Sequence, residues 1–251
     1  MDLDFAASVT SVPYHPGAAR YFAEKDKTVA SVKDGAGTGT SKALTFGTGG
    51  DTGTYYGFGG VLASYVSNNT GVSVTAVTSG GSQNNIEELA AGNVQLGFVQ
   101  SDVMSYAYNG ERLFDTKVEG FSVVAALYME QVQIITLNSS IKSVADLKGK
   151  NVSIGDLGSG VYFNAIDVLS AYGLTEDDIK PVYQSFGNSV DSLKDKKIDA
   201  AFVVAGAPTT AVVDLVSTNT TYMVELGEEE TKALLDASPY YSAYTIKAGT
   251  Y

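Results

Sequence analysis

Residues 43–66 read ALTFGTGGDTGTYYGFGGVLASYV. A short apolar stretch, 44–47, runs into a Gly/Thr loop, and a helical pattern over 55–66 follows. In an open α/β sheet such a loop lies beyond the carboxyl ends of the strands, where ligands bind. Its glycines admit close backbone approach, and free N–H groups at a helix start attract anionic oxygens. The loop lacks the Gly-Lys-Ser/Thr ending of a P-loop and the spacing of a dinucleotide fingerprint. On spacing alone, a tight turn without a ligand reads equally well.

The alternation continues on both sides. Strands are predicted at 72–77, 95–99, 121–127, 132–137, 151–154, 180–184, 198–204 and 221–225. Helices are predicted at 17–25, 82–91, 101–108, 142–147, 159–172, 189–194, 208–216 and 228–236. Ser101 or Asp102 is the expected cap of one helix, Ser79 or Ser82 of another, and Pro208 falls in the first turn of a third. Strands separated by helices imply βαβ units and mainly parallel sheets. The chain therefore reads as two α/β lobes joined by crossing hinge strands near residues 127–132. Residues 43–128 form the first lobe and 129–238 the second, with 239–251 returning to the first. Residues 1–30 form a separate segment packing on the first lobe, and the Gly/Thr/Ser-rich stretch 31–42 is a linker.

Composition excludes several functions. With 28 acidic against 16 basic residues the formal charge is -12, which disfavours nucleic acid as a partner. There is no cysteine and a single histidine, His15, so thiol chemistry and a multi-histidine metal site are excluded within one chain. No apolar run approaches the roughly 18–20 residues of a membrane span. The opening Met1-Asp2-Leu3-Asp4 is acidic where a secretory signal is basic, so no signal is expected on this chain. Cofactors are expected to be absent.

Two further strand-to-helix loops match the first. Residues 78–85, TSGGSQNN, offer small hydroxyls and exposed amides suited to a carboxylate. Residues 155–161, GDLGSGV, stand in the same position on the second lobe. Two helix starts from opposite lobes can then grip one ligand. Candidate binding residues are Thr48, Gly50, Thr54, Tyr55 and Tyr56; Ser79, Gly81, Ser82 and Asn85; Gln100 and Ser101; Gly158, Ser159, Gly160 and Val161; Ala205 and Gly206. Tyr55, Tyr56 and Tyr128 offer aromatic walls with a polar tip. His15, between Tyr14 and Pro16, reads as a turn residue. The acidic pairs at 177–178 and 228–230 read as solvated helix starts rather than an acid/base pair.

The ordered motifs GTGGDTGTYYGFGGVLA, TSGGSQNN, AAGNVQLGFVQSDVMSYAYNG, VADLKGKNVSIGDLGSG and IDAAFVVAGAP resemble the TAXI family of TRAP-transporter solute-binding proteins. The resemblance covers residue 43 to about residue 225. It implies a type II periplasmic-binding-protein fold that closes over a small anionic solute, a glutamate- or glutamine-like amino acid or a dicarboxylate. It also implies an extracytoplasmic receptor, without enzymatic activity, that serves TRAP membrane subunits. The family's binding loops map onto the three loops above and onto Gln100 and Ser101. Val161 stands where the family often has a hydroxyl residue. The family places its HPGA segment at the carboxyl terminus, whereas here His15-Pro16-Gly17-Ala18 lies near the start. That order implies an engineered circular permutant lacking part of the first lobe, with a complementary fragment or fused domain as a possible partner. Two other readings stand beside the receptor. One is a serine hydrolase using Ser82 or Ser159 with His15. The other is a sensor or split scaffold that has lost its ligand.

Overall fold

A computed structural model describes residues 2–33 and 41–251. Residues 34–40, most of the expected linker, lie outside the described residues. The chain opens with α1 (Leu3–Ala6) and α2 (Pro16–Ala23). His15 caps α2, its Nδ1 accepting from the Gly17 N–H at 3.1 Å. Tyr14 is fully buried here, its ring against Phe22, in one cluster with Met104 and Val123.

The first sheet has three parallel strands, β1 (Ala43–Gly47) lying between β2 (Ser73–Val77) and β3 (Leu96–Gly97). Each strand leads to a helix: α3 (Thr54–Asn69), α4 (Ser82–Ala90) and α5 (Ser101–Asn109). Phe46, Ala63, Val74 and Phe98 form the core between this sheet and α3. On the other side Ile86, Val103, Tyr106 and Ala107 of α4 and α5 pack together.

The second sheet has five strands. β4 (Gln131–Thr136) is antiparallel to its neighbours, while β5 (Asn151–Ser153), β6 (Lys180–Val182) and β7 (Ala200–Ala205) are parallel to one another. β8 (Tyr222–Met223) lies at one edge and β6 at the other, giving the order β6-β5-β7-β4-β8. α6 (Gly160–Ala171) and α9 (Glu228–Ala237) cover one face; α7 (Phe186–Lys194) and α8 (Thr210–Thr218) cover the other. All six residues of β7 are buried, as its continuous apolar run AAFVVA requires of a strand covered on both faces.

Three expectations are corrected. Residues 121–127 form no strand: Val123 makes one isolated bridge to Tyr14, because its neighbour there is a turn holding Pro13 and Pro16 rather than a regular strand. The helix expected over 142–147 is a short 3₁₀ turn, Val144–Leu147, closed by a Ser143–Asp146 capping box. Pro208 lies outside α8, whose cap is Thr209. The sheets are mainly parallel as expected, the antiparallel pairings being those of β4 with β7 and β8. Residues 239–251 contact both halves: Tyr240 donates to Ser105 of α5, and Tyr251 bonds Gln133 and Thr209 beside the second sheet.

Phe202, fully buried in β7, anchors the core of the second sheet. Phe202→Ala is expected to cost about 3–5 kcal/mol. An unchanged urea midpoint would contradict the packing described.

Candidate functional site

The loops after the strands of both sheets meet at one cleft of about 540 Å³, counting its mouth open to solvent. Five helices begin in its wall. They are α3 at Gly53–Thr54, α4 at Gly81–Ser82, α5 at Gln100, α6 at Ser159–Gly160 and α7 at Ser185–Phe186. The cap side chains of α3, α4, α5 and α6 accept no hydrogen bond from the N–H groups of their own helix starts. Helix starts left in this state present N–H donors and the positive end of the helix dipole to whatever enters. Among the described residues no Lys, Arg or His lines the cleft.

Glycine permits the approach of the two walls. At Gly160 an added Cβ would lie 1.4 Å from Gln100 Oε1 and 3.0 Å from Ser82 Oγ. At Gly81, held at φ +105°, it would meet Ser159 Cα at 3.3 Å. Direct bonds then tie the sides. Thr54 Oγ1 donates to the Gly206 carbonyl at 3.1 Å, and the Asn84 N–H to the Gly158 carbonyl at 3.0 Å. Asn164 of α6 donates to Asp102 Oδ2 at 2.9 Å and accepts from Gln100 Nε2 at 2.7 Å. Phe163 of α6 is buried among the residues of α4 and α5.

Ser82 is the polar centre of the first-sheet wall. Its Oγ accepts the Gln100 N–H at 3.1 Å and lies 3.5 Å from Tyr55 Oη. Tyr55 stacks on Phe98 at 4.8 Å and donates to Glu130 Oε2 at 3.2 Å. Ser159, only 6% exposed, carries a hydroxyl with no hydrogen-bond partner among the described residues. Burial pushes the Glu130 carboxyl up to about 8, with Tyr55 partly offsetting it and the charge of Asp102 adding to it. Burial likewise pushes Asp102 up to about 6 against the opposing bonds from Val103 and Asn164. Both shifts follow from removing a carboxylate from water without a cation beside it.

Of the expected residues, Gly50, Thr54, Tyr55, Ser79, Gly81, Ser82, Gln100, Ser159, Gly160, Val161 and Ala205 line the cleft. Six do not. Thr48 Oγ1 donates to the Val77 carbonyl, and Asn85, fully buried, bonds the carbonyls of Thr48 and Phe98. Both hold the loops from behind. Tyr56 and Ser101 are exposed, Gly158 supports Asn84, and Gly206 contributes its carbonyl to Thr54 and Thr209. Neither Ser101 nor Asp102 caps α5; its cap is Gln100, and Asp102 faces Asn164 instead. The cap of α4 is Gly81 rather than Ser79 or Ser82. Glu130, Ser185 and Phe186 line the cleft without having been expected there, and Asp156 lines it from the expected 155–161 loop without having been singled out. Ser185 was legible as a Ser just after a predicted strand; Glu130, between two predicted strands, offered no such pattern. His15 is not part of the lining, and no hydrogen bond joins it to Ser82 or Ser159 among the described residues.

No group of three or more His, Cys, Asp or Glu able to hold a metal is present among the described residues, and no described helix is long and apolar enough to cross a membrane. The chain belongs to the NMT1-like family, whose model matches residues 46–251. Its fold is that of periplasmic binding proteins. The alkanesulfonate-binding protein SsuA from Xanthomonas axonopodis pv. citri, bound to MOPS, is 21% identical with a TM-score of 0.52, over 76% of this chain and 63% of that one. An ancestral arginine-binding protein bound to glutamine is 18% identical with a TM-score of 0.51, over 79% of this chain and 92% of that one. A protein from Bordetella bronchiseptica RB50 is 15% identical with a TM-score of 0.55, over 80% of this chain and 67% of that one. The chain thus spans less than two thirds of the length of the sulfonate-binding relative.

The folded protein holds the Asp102 proton up to about pH 6, whereas the unfolded chain releases it near the ordinary value of 3.8. Stability from this group is therefore present below that ordinary value and lost as pH rises to about 6, by on the order of 3 kcal/mol. Asp102→Asn is expected to flatten that fall in urea unfolding across this window. A fall of equal size in the variant would assign the effect elsewhere.

Proposed function

We propose that this NMT1-like chain is a non-catalytic receptor that closes over a small anionic solute, a glutamate- or glutamine-like amino acid or a dicarboxylate, for TRAP-type uptake outside the cytoplasm. The observation that carries the reading is the meeting of five helix starts in a cleft whose lining, among the described residues, supplies no Lys, Arg or His. Backbone amides then replace side-chain cations as carboxylate donors. In this reading residues 43–128 and 129–238 are the two lobes, and closure of the walls strengthens each bond by expelling water. The -12 charge gives an acidic solute no long-range attraction, so recognition is local.

The TAXI pattern of loops supports the TRAP assignment. The order of segments supports a circular permutation. The family match starts at residue 46, within β1, and the preceding segment packs on Met104 and Val123 beside the first sheet. The hydrolase reading has no such support, because His15 is engaged as the cap of α2. Val161 contributes an apolar patch to the cleft rather than a hydroxyl.

Thermal unfolding with glutamate, glutamine and 2-oxoglutarate in turn tests the reading. A ligand at 100 times its Kd is expected to stabilise the fold by about 2.7 kcal/mol. No shift with any small acid would reject the ligand class. Ser82→Ala removes the acceptor for the Gln100 N–H and is expected to weaken binding by about 1–3 kcal/mol in calorimetry. Unchanged affinity would remove Ser82 from the site.

A further inference from the structure

The cleft holds one feature that an all-anion ligand does not explain. Glu130 lies in its wall, and the only hydrogen bond of its side chain among the described residues comes from Tyr55 Oη. The groups facing it are Tyr55 of α3, Asp102 of α5 and Tyr128 on its own segment; none is a cation. The other cleft acid, Asp156, already accepts from the Leu157 N–H at 2.9 Å. A carboxyl buried without a cation is costly when ionised, and a ligand that brings a positive charge removes that cost.

Its position supplies the geometry. The Tyr55 hydroxyl lies between Glu130 Oε2, at 3.2 Å, and Ser82 Oγ, at 3.5 Å, so the acid stands one phenol oxygen away from the start of α4. An α-amino acid carries its ammonium and its carboxylate on a single carbon. A ligand seated there meets helix-start amides with one end and Glu130 with the other.

We propose that Glu130 is the residue that receives the ligand's α-ammonium, making the cleft selective for zwitterionic α-amino acids over dicarboxylates of the same shape. This rests on the small-acid receptor reading above. Before a ligand binds, burial, which raises the Glu130 carboxyl to about 8, keeps it largely protonated at neutral pH. Binding transfers that proton to solvent, leaving a carboxylate against the ammonium, so charge and protons balance.

The test compares L-glutamate with 2-oxoglutarate, which differ at the amino group, by calorimetry on the full chain. Measurements in buffers of different ionisation enthalpy report the protons exchanged. For the native sequence the expected results are tighter binding of L-glutamate and release approaching one proton at pH 7. Glu130→Gln is expected to weaken L-glutamate at least about tenfold, abolish the proton release and leave 2-oxoglutarate unchanged or tighter. Retained 2-oxoglutarate binding shows that the variant is folded. Asp156→Asn is expected to keep the preference for L-glutamate. The inference is overturned if Glu130→Gln binds L-glutamate as the native sequence does, or if Asp156→Asn is the change that loses the preference. Were the native chain to bind neither acid, the receptor reading itself would fail and this inference with it.

Discussion

The first few N–H groups of an α-helix have no partner in their own helix. Here that constraint governs the molecule, because five helices begin at the same cleft. Parallel β-α units place every strand-to-helix loop at one end of a sheet. Two such sheets, facing each other, bring donors from both into one space. The sequence then withholds the usual remedy: no cap side chain of α3, α4, α5 or α6 accepts from its own helix start. Apart from the Asn84 N–H, given to the Gly158 carbonyl, and the Val103 N–H, given to Asp102, the first-turn donors of these four helices are left without a cap side chain.

Closing this space brings carboxyl groups out of water as well. Asp102 is only 3% exposed and bridges to the second half through Asn164. Glu130 faces the cleft itself. The acid between the sheets thus contributes to their contact, and the acid in the wall to the identity of what is held. The aromatic stack of Tyr55 on Phe98 fixes the phenol that stands between Glu130 and Ser82. Packing in the first sheet's core therefore sets the position of a polar group in the site.

Much of this was legible in the residues. The strand-loop-helix pattern of residues 43–66 matches β1 and α3, and the glycine loops on both sheets do line one cleft. What escaped has a physical reason in each case. Thr48 and Asn85 share the composition of binding residues, but their hydrogen bonds go to carbonyls behind the loops. For Asn85 the phase of α4 decides this, and for Thr48 its place directly after β1; a motif displays neither. Glu130 enters the cleft through the crossing segment before β4, where no periodicity marks which residue turns inward. Residues 121–127 carry strand-forming residues, yet regular pairing needs a partner strand, and among the described residues Val123 bridges just the short turn around Tyr14.

The claim on which all of this rests is that helix-start amides from two separate sheets hold one carboxylate. A crystal structure of the protein grown with L-glutamate measures it directly. The account predicts a carboxylate within hydrogen-bond distance of backbone N–H groups at the starts of α4 and α6 together. A ligand carboxylate seated on one sheet alone, or outside the space between Ser82 and Gly160, would contradict it.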